Sequence, residues 1–157
     1  MDRPTGEDIE LFVDTTSLYR NKRGPIWGRV YLSVGDTSFP DAGWTDIAVG
    51  FCVAWLHAIR QLASKQTTAE TVFFMDGPFR ADMKLRTTES VELVFVDFHT
   101  PETIEHRSEQ RIATLLRNAI ISGESVLNSA KERGWGGDAD VQALRSEMGA
   151  AEELLRP

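Results

Sequence analysis

Phe39-Pro40-Asp41-Ala42-Gly43-Trp44-Thr45-Asp46 is a turn of proline, glycine, aspartate and large aromatic residues that runs directly into a strongly apolar segment. Proline presets one backbone angle, glycine relaxes another, and aspartate bonds turn amides, so this composition specifies a loop of fixed shape. Beyond it Ile47, Phe51, Trp55, Ile59 and Leu62 recur at spacings of three and four, and Val49, Val53 and Leu56 widen the apolar surface. That periodicity predicts a helix over residues 45–64 that is covered on most sides, the core helix of the fold. Thr45 or Asp46 is placed to cap its free N–H groups, where a carboxylate also suits the positive end of the helix dipole. The polar stripe through Asp46, Gly50, His57 and Gln61 is narrow, and His57 on it reads as a core histidine held by a hydrogen bond. Met75-Asp76-Gly77-Pro78-Phe79 repeats the composition of the first turn and is its companion.

Upstream, Ile9, Leu11 and Val13 alternate with Glu10, Phe12 and Asp14, the period of a half-buried strand over 9–14. Residues 15–25 form a polar turn with the densest positive charge in the chain, Arg20, Lys22 and Arg23. A second strand over 26–34 turns Ile26, Val30, Leu32 and Val34 inward and Trp27, Arg29, Tyr31 and Ser33 outward. Downstream, strands are expected over 72–76, 82–87 and 91–98, the last two joined by the Thr88-Glu89-Ser90 turn of an antiparallel meander. After Pro101, Ile112, Leu115, Leu116, Ala119, Ile120, Val126, Leu127 and Ala130 fall on one stripe, predicting a long helix from Glu102 or Ser108 to Glu132. Gly134-Trp135-Gly136-Gly137 ends it. Asp138 or Asp140 then starts a last helix with the narrow stripe Val141, Leu144, Met148, Ala151 and Leu155. The fold class is therefore α+β: an antiparallel meander sheet of about five strands packed on a core helix, with a C-terminal pair of helices. With no repeat and no Pro/Ser-rich linker, residues 1–157 read as a single domain, the sheet and core helix over 1–100 and the helical tail over 101–157.

A chain of 157 residues with 41% hydrophobic and 26% charged side chains can bury its own core without staples. Its net charge of −7, from 17 Lys and Arg against 24 Asp and Glu, works against general nucleic-acid binding and suits a basic protein partner. The lone Cys52 sits in an apolar run, so neither an intramolecular disulfide nor a Cys-based metal cluster is available, and a reducing cytoplasm is expected. Met1-Asp2-Arg3-Pro4-Thr5-Gly6-Glu7-Asp8 lacks the basic start and apolar centre of a signal peptide, and no apolar run reaches the roughly 20 residues of a membrane span.

Three apolar strands end on or beside an aspartate, at Asp14, Asp76 and Asp97. Carboxylates at strand ends hold magnesium in many phosphoryl-transfer enzymes, because a hard cation needs several converging oxygens. These three are the candidate metal ligands of a metal-dependent hydrolase or nuclease-like enzyme. An antiparallel meander nevertheless sends successive strand ends to opposite edges, and aspartate is an ordinary residue for leaving a strand. His99 and His106, with Glu102, Glu105 and Glu109, allow a second metal cluster to be drawn, although acids spaced in this way are expected at a helix N-terminus on dipole grounds alone. No Gly-x-Ser-x-Gly elbow, Walker loop, dinucleotide glycine pattern or His-Glu-x-x-His helix is present, and a buried Cys52 is no nucleophile. No catalytic residue and no cofactor is expected. Arg20, Lys22, Arg23 and Arg29 interleave with Tyr19, Trp27 and Tyr31, a chemistry suited to single-stranded nucleic acid, but as one small patch it reads as a solvated hairpin loop. Phe39 and Trp44 can staple the first turn of the core helix while Asp41 bonds turn amides. The functional alternative is an aromatic centre, Trp44 and Phe79, within an acidic rim of Asp41, Asp46, Asp76 and Asp82, as a binder of a basic protein would present.

Phe39-Pro40-Asp41 with Trp44 and Asp46, followed by Phe74-Met75-Asp76-Gly77-Pro78, resembles in this order of elements small uncharacterised bacterial α/β proteins, among them immunity proteins encoded beside polymorphic or contact-dependent toxins. The resemblance spans residues 26–98 and does not extend to the helical tail over 108–157. It implies a non-enzymatic cytoplasmic protein that blocks a toxin by tight binding, its acidic charge speeding association with a basic toxin domain. Three functions follow as expectations. One is a protein-binding module of the immunity type acting through Asp41, Trp44, Asp46, Asp76 and Phe79. Another is a metal-dependent enzyme using Asp14, Asp76 and Asp97. The third is an assembly subunit, a homodimer joined through the narrow stripe of the last helix.

Overall fold

Ile26, Gly28, Val30, Leu32 and Val34 are all buried while the residues between them face outward, so one long strand anchors the first half of the chain. The computed structural model describes residues 8–22 and 24–157; the expectation for the first eight residues, apart from Asp8, and for Arg23 lies outside them. β1 (Ile9–Val13), β2 (Tyr19–Arg20), β3 (Ile26–Val34), β4 (Thr37–Phe39) and β5 (Thr45–Asp46) form one antiparallel sheet in which β3 pairs with all the others. Between β1 and β2 the expected polar turn contains a short helical turn, Thr15–Ser17, whose N-cap Asp14 accepts from the Thr16 amide. Gly28 is closely approached: a Cβ there would stand 2.7 Å from Leu18 Cδ2, so Leu18, which covers the strand at that point, would have to shift.

α1 (Ala48–Ala63) buries Phe51, Cys52, Trp55, Leu56, Ile59 and Leu62, as its periodicity requires. Full burial of side chains the size of Phe51 or Leu56 contributes roughly 1.5–3 kcal/mol each, so this helix carries much of the core. Its start differs from expectation. Thr45 and Asp46 are drawn into β5, opposite Arg29 and Gly28, and the capping position falls to Ile47, which has no side-chain cap bond.

β6 (Ala69–Phe73), β7 (Phe79–Leu85), β8 (Ser90–Asp97) and β9 (Thr103–Arg111) form a second antiparallel sheet in sequence order. The α+β class, the meander and the paired C-terminal helices are as read from the sequence, with the strands shared between two sheets. β9 is a correction, because a helix was expected from Glu102 or Ser108. Glu105, Arg107, Glu109 and Arg111 alternate with His106, Ser108 and Gln110 along this edge strand, whose partly buried side is polar. Without apolar residues on that side there is no hydrophobic period of two to read.

α2 (Ile112–Glu132) and α3 (Ala139–Leu155) follow, separated by a turn in which Gly134 takes a positive φ of 74°. Asp138 caps α3, accepting from the amides of Asp140 and Val141 at 2.9 and 3.2 Å. Val141, Leu144, Met148 and Ala151 are buried against α1 and α2, so the stripe expected to join two copies is used inside one chain. The two sheets are joined where the Ile9 amide donates to Gln110 Oε1 at 3.4 Å. No described helix is long and apolar enough to cross a membrane.

Candidate functional site

The two turns singled out by composition meet. Half-buried Trp44 lays its ring on Gly77, where a Cβ would stand 2.7 Å from Trp44 Cη2 and 2.9 Å from Cζ2, so close approach dictates the glycine. Trp44 Nε1 donates to Asp46 Oδ2 at 3.0 Å, and the Asp76 amide donates to the same oxygen at 3.1 Å. The Ile47 amide donates to Asp46 Oδ1 at 2.7 Å. Asp46 is 0% exposed; a carboxylate withdrawn from water is satisfied here by three N–H groups from both turns and the start of α1.

Around this clamp the aromatic rings interlock. Phe39, from the first sheet, stacks on Phe95 of the second at 4.9 Å and meets Phe74 and Phe79 edge-on, each at 5.7 Å. Trp44 meets Phe79 edge-on at 5.1 Å, and Phe51 of α1 stacks on Phe74 at 4.2 Å. Edge-on and offset contacts suit the ring quadrupoles. The cluster therefore fixes both sheets and the core helix relative to one another, which makes the shape of the adjoining surface rigid.

That surface alters the expected set of contact residues. Asp46 is removed from it by burial. Asp41 and Asp76 are exposed, the former accepting from the Gly43 amide at 2.8 Å, while Trp44 and Phe79 are half-buried and show only part of their rings. The prominent apolar groups lie outside the expected contact set: Phe73, 52% exposed, Met75, 69% exposed, and Phe98. Phe73 meets Phe98 edge-on at 6.1 Å, and the Arg80 guanidinium lies 5.6 Å from the Phe98 ring centre. Asp82 and Glu102 hold Arg80 at 3.1 and 2.6 Å. The signal was present in Phe73-Phe74-Met75: a strand alternates its faces, so three consecutive large apolar residues cannot all turn inward.

Asp14, Asp76 and Asp97 do not form a common site. Among the described residues no three His, Cys, Asp or Glu side chains come together to hold a metal ion. Two of the three carboxylates are engaged elsewhere. Asp97 accepts from the His99 amide at 3.0 Å and lies 2.6 Å from His99 Nδ1, contacts that lower its pKa. Asp14 bonds the side chain of Thr16 and, at 3.1 Å, Arg29 Nε, which together hold its pKa down to about 2. Because the folded value lies below the ordinary 3.8, this contribution to stability is present above that pH and disappears as pH falls through about 2. Asp14→Asn is expected to flatten that part of the acid-unfolding profile, measured by fluorescence-monitored denaturation at successive pH values.

The second drawn cluster is likewise dispersed along β9 and its approach. Glu102 pairs with Arg80, Glu105 accepts from Thr103 Oγ1 at 3.1 Å, and Glu109 accepts from Ser90 Oγ at 2.8 Å. His106 packs tilted on Phe95 at 5.5 Å. In the basic loop, Arg20 pairs with Asp138 at 3.7 Å and Arg29 with Asp14, so two of the positive charges are matched within the chain. His57 is half-exposed and not a core residue. Its Nδ1 lies 2.8 Å from Glu147 Oε1, and Arg60 Nε donates to Glu147 Oε2 at 2.6 Å. Burial would raise the Glu147 pKa, but the Arg60 and His57 hydrogen bonds outweigh it and the net shift is downward. Burial pushes the Cys52 thiol up to about 12, leaving it protonated and unreactive.

These observations define an α+β protein with an interlocked aromatic joint and an exposed apolar surface beside it, where Arg80 lies over Phe98 and is paired with Asp82 and Glu102. No protein-family model, curated protein or solved structure matches the chain.

Proposed function

We propose that the protein is a non-enzymatic protein-binding module, an immunity-type inhibitor that covers a basic domain of a bacterial toxin in the cytoplasm. The observation that carries this reading is the exposure of Phe73, Met75 and Phe98 together at one end of the second sheet. Methionine and aromatic side chains are the anchors that protein interfaces favour, and the backbone holding these is already fixed by the Trp44–Asp46–Asp76 clamp. A preorganised anchor spends little of its binding energy on ordering. Asp41 and Asp76 supply exposed acidic charge, Asp82 and Glu102 being paired with Arg80 and Asp97 with His99, and the net charge of −7 would draw a basic partner in.

The test is capture of partners from the native host with the wild-type chain and with Met75→Asp. Met75 contributes little to the core, so the variant is expected to melt as the wild type does while its affinity for the captured partner falls by about 2 kcal/mol or more. The captured partner should also be toxic when produced without this protein. Equal retention by both forms, or a partner that is harmless alone, overturns the proposal.

A further inference from the structure

We infer that the exposed face of α2 is a homodimer interface, in which a second copy of this chain packs antiparallel across Ile121. Ile121 is 62% exposed and Leu154 of α3 is 42% exposed. Beside Ile121 runs a groove of about 480 Å³ lined by Ile120 and Leu155 and bordered on α2 by Arg117 and Glu124 and on α3 and its end by Glu152 and Arg156. Arg117, Ile121 and Glu124 follow one another at spacings of four and three, so they form a single stripe on the helix. Along the chain that stripe reads positive, apolar, negative. Reversed, it reads negative, apolar, positive. A two-fold axis passing between Ile120 and Ile121 therefore sets Arg117 of each copy opposite Glu124 of the other and closes apolar surface between them.

Self-complementarity of this kind is what an isologous interface requires, since each patch must meet itself. Neither Arg117 nor Glu124 has an ion-pair partner among the described residues. An arbitrary partner would have to match both signs and the spacing, whereas a second copy supplies them by symmetry. The interface lies on the helical half of the molecule and is independent of the partner surface proposed above.

Sedimentation equilibrium of the full chain tests the inference. A monomer–dimer equilibrium is expected for the wild type, and Ile121→Asp is expected to sediment as a monomer. Arg117→Glu and Glu124→Arg should each raise the dimer dissociation constant roughly tenfold or more, because each places like charges together twice. The double variant Arg117→Glu/Glu124→Arg preserves the pattern with its signs exchanged and should return to within about twofold of wild type. All these positions are exposed, so thermal melts verify folding. A wild type that stays monomeric up to about 1 mM, a double variant as weak as the singles, or a dimer indifferent to every substitution overturns it.

Discussion

Asp46→Ala is expected to lower the unfolding free energy by about 3–5 kcal/mol, as three buried N–H donors lose their acceptor together. The substitution removes the acceptor of Trp44 Nε1, of the Ile47 amide and of the Asp76 amide at one stroke. Each abandoned donor in a water-poor site costs about 1–3 kcal/mol, partly recovered by local rearrangement. Asp46→Asn separates charge from geometry. Its oxygen can replace Oδ1 towards Ile47, but its NH₂ group then faces Trp44 Nε1 and the Asp76 amide, donor against donors. The asparagine variant should therefore be nearly as unstable as the alanine one, read from urea midpoints at unchanged slope. Wild-type stability in either variant would mean that the two turns do not depend on this carboxylate.

Phe39→Ala is the second large effect, with an expected loss of about 3–5 kcal/mol by the cavity and transfer contributions of a deleted core aromatic. Phe39 is buried and contacts Phe74, Phe79 and Phe95, all from the second sheet or its bordering turn, while its backbone pairs with Leu32 in the first. Its loss thus loosens one sheet from the other as well as leaving a void. Combined with Asp46→Ala, the two losses should fall short of their sum, since both act on the packing of Trp44 and Phe79. Denaturant melts of the two single variants and the double variant measure this coupling.

The sequence made the inward face of β3 and the buried surface of α1 legible because Ile26, Val30, Leu32, Phe51, Trp55 and Ile59 repeat at the period of their own element. It also marked both members of the turn clamp, since Gly77 and Trp44 are unusual enough to announce a constrained loop. What it hid was governed by contacts distant along the chain. Asp46 looked like a helix cap and an interface acid, yet its third donor comes from Asp76, thirty positions away. His57 looked isolated on an apolar helix because Glu147 reaches it from α3. β9 looked helical because its partly buried side is polar, Ser108 and Gln110 being stabilised by hydrogen bonds rather than by apolar packing. The exposed anchors Phe73, Met75 and Phe98 were the converse case, since apolar letters in a strand are read first as core.

Arg133 reaches back from the end of α2 to the carbonyls of Leu18 and Thr15, and Ser122 Oγ donates to the carbonyl of Leu11. The strand nearest the start of the chain is thus completed by a helix that is synthesised more than a hundred residues later, the spans being 111, 115 and 118. On the ribosome β1 can pair with β3 early, yet the α2 residues that cover it are still missing. Closing such spans is entropically costly before any contact rewards it. Covering of β1 accordingly waits for α2, and until then its apolar residues are expected to stand open to chaperones or to other nascent chains.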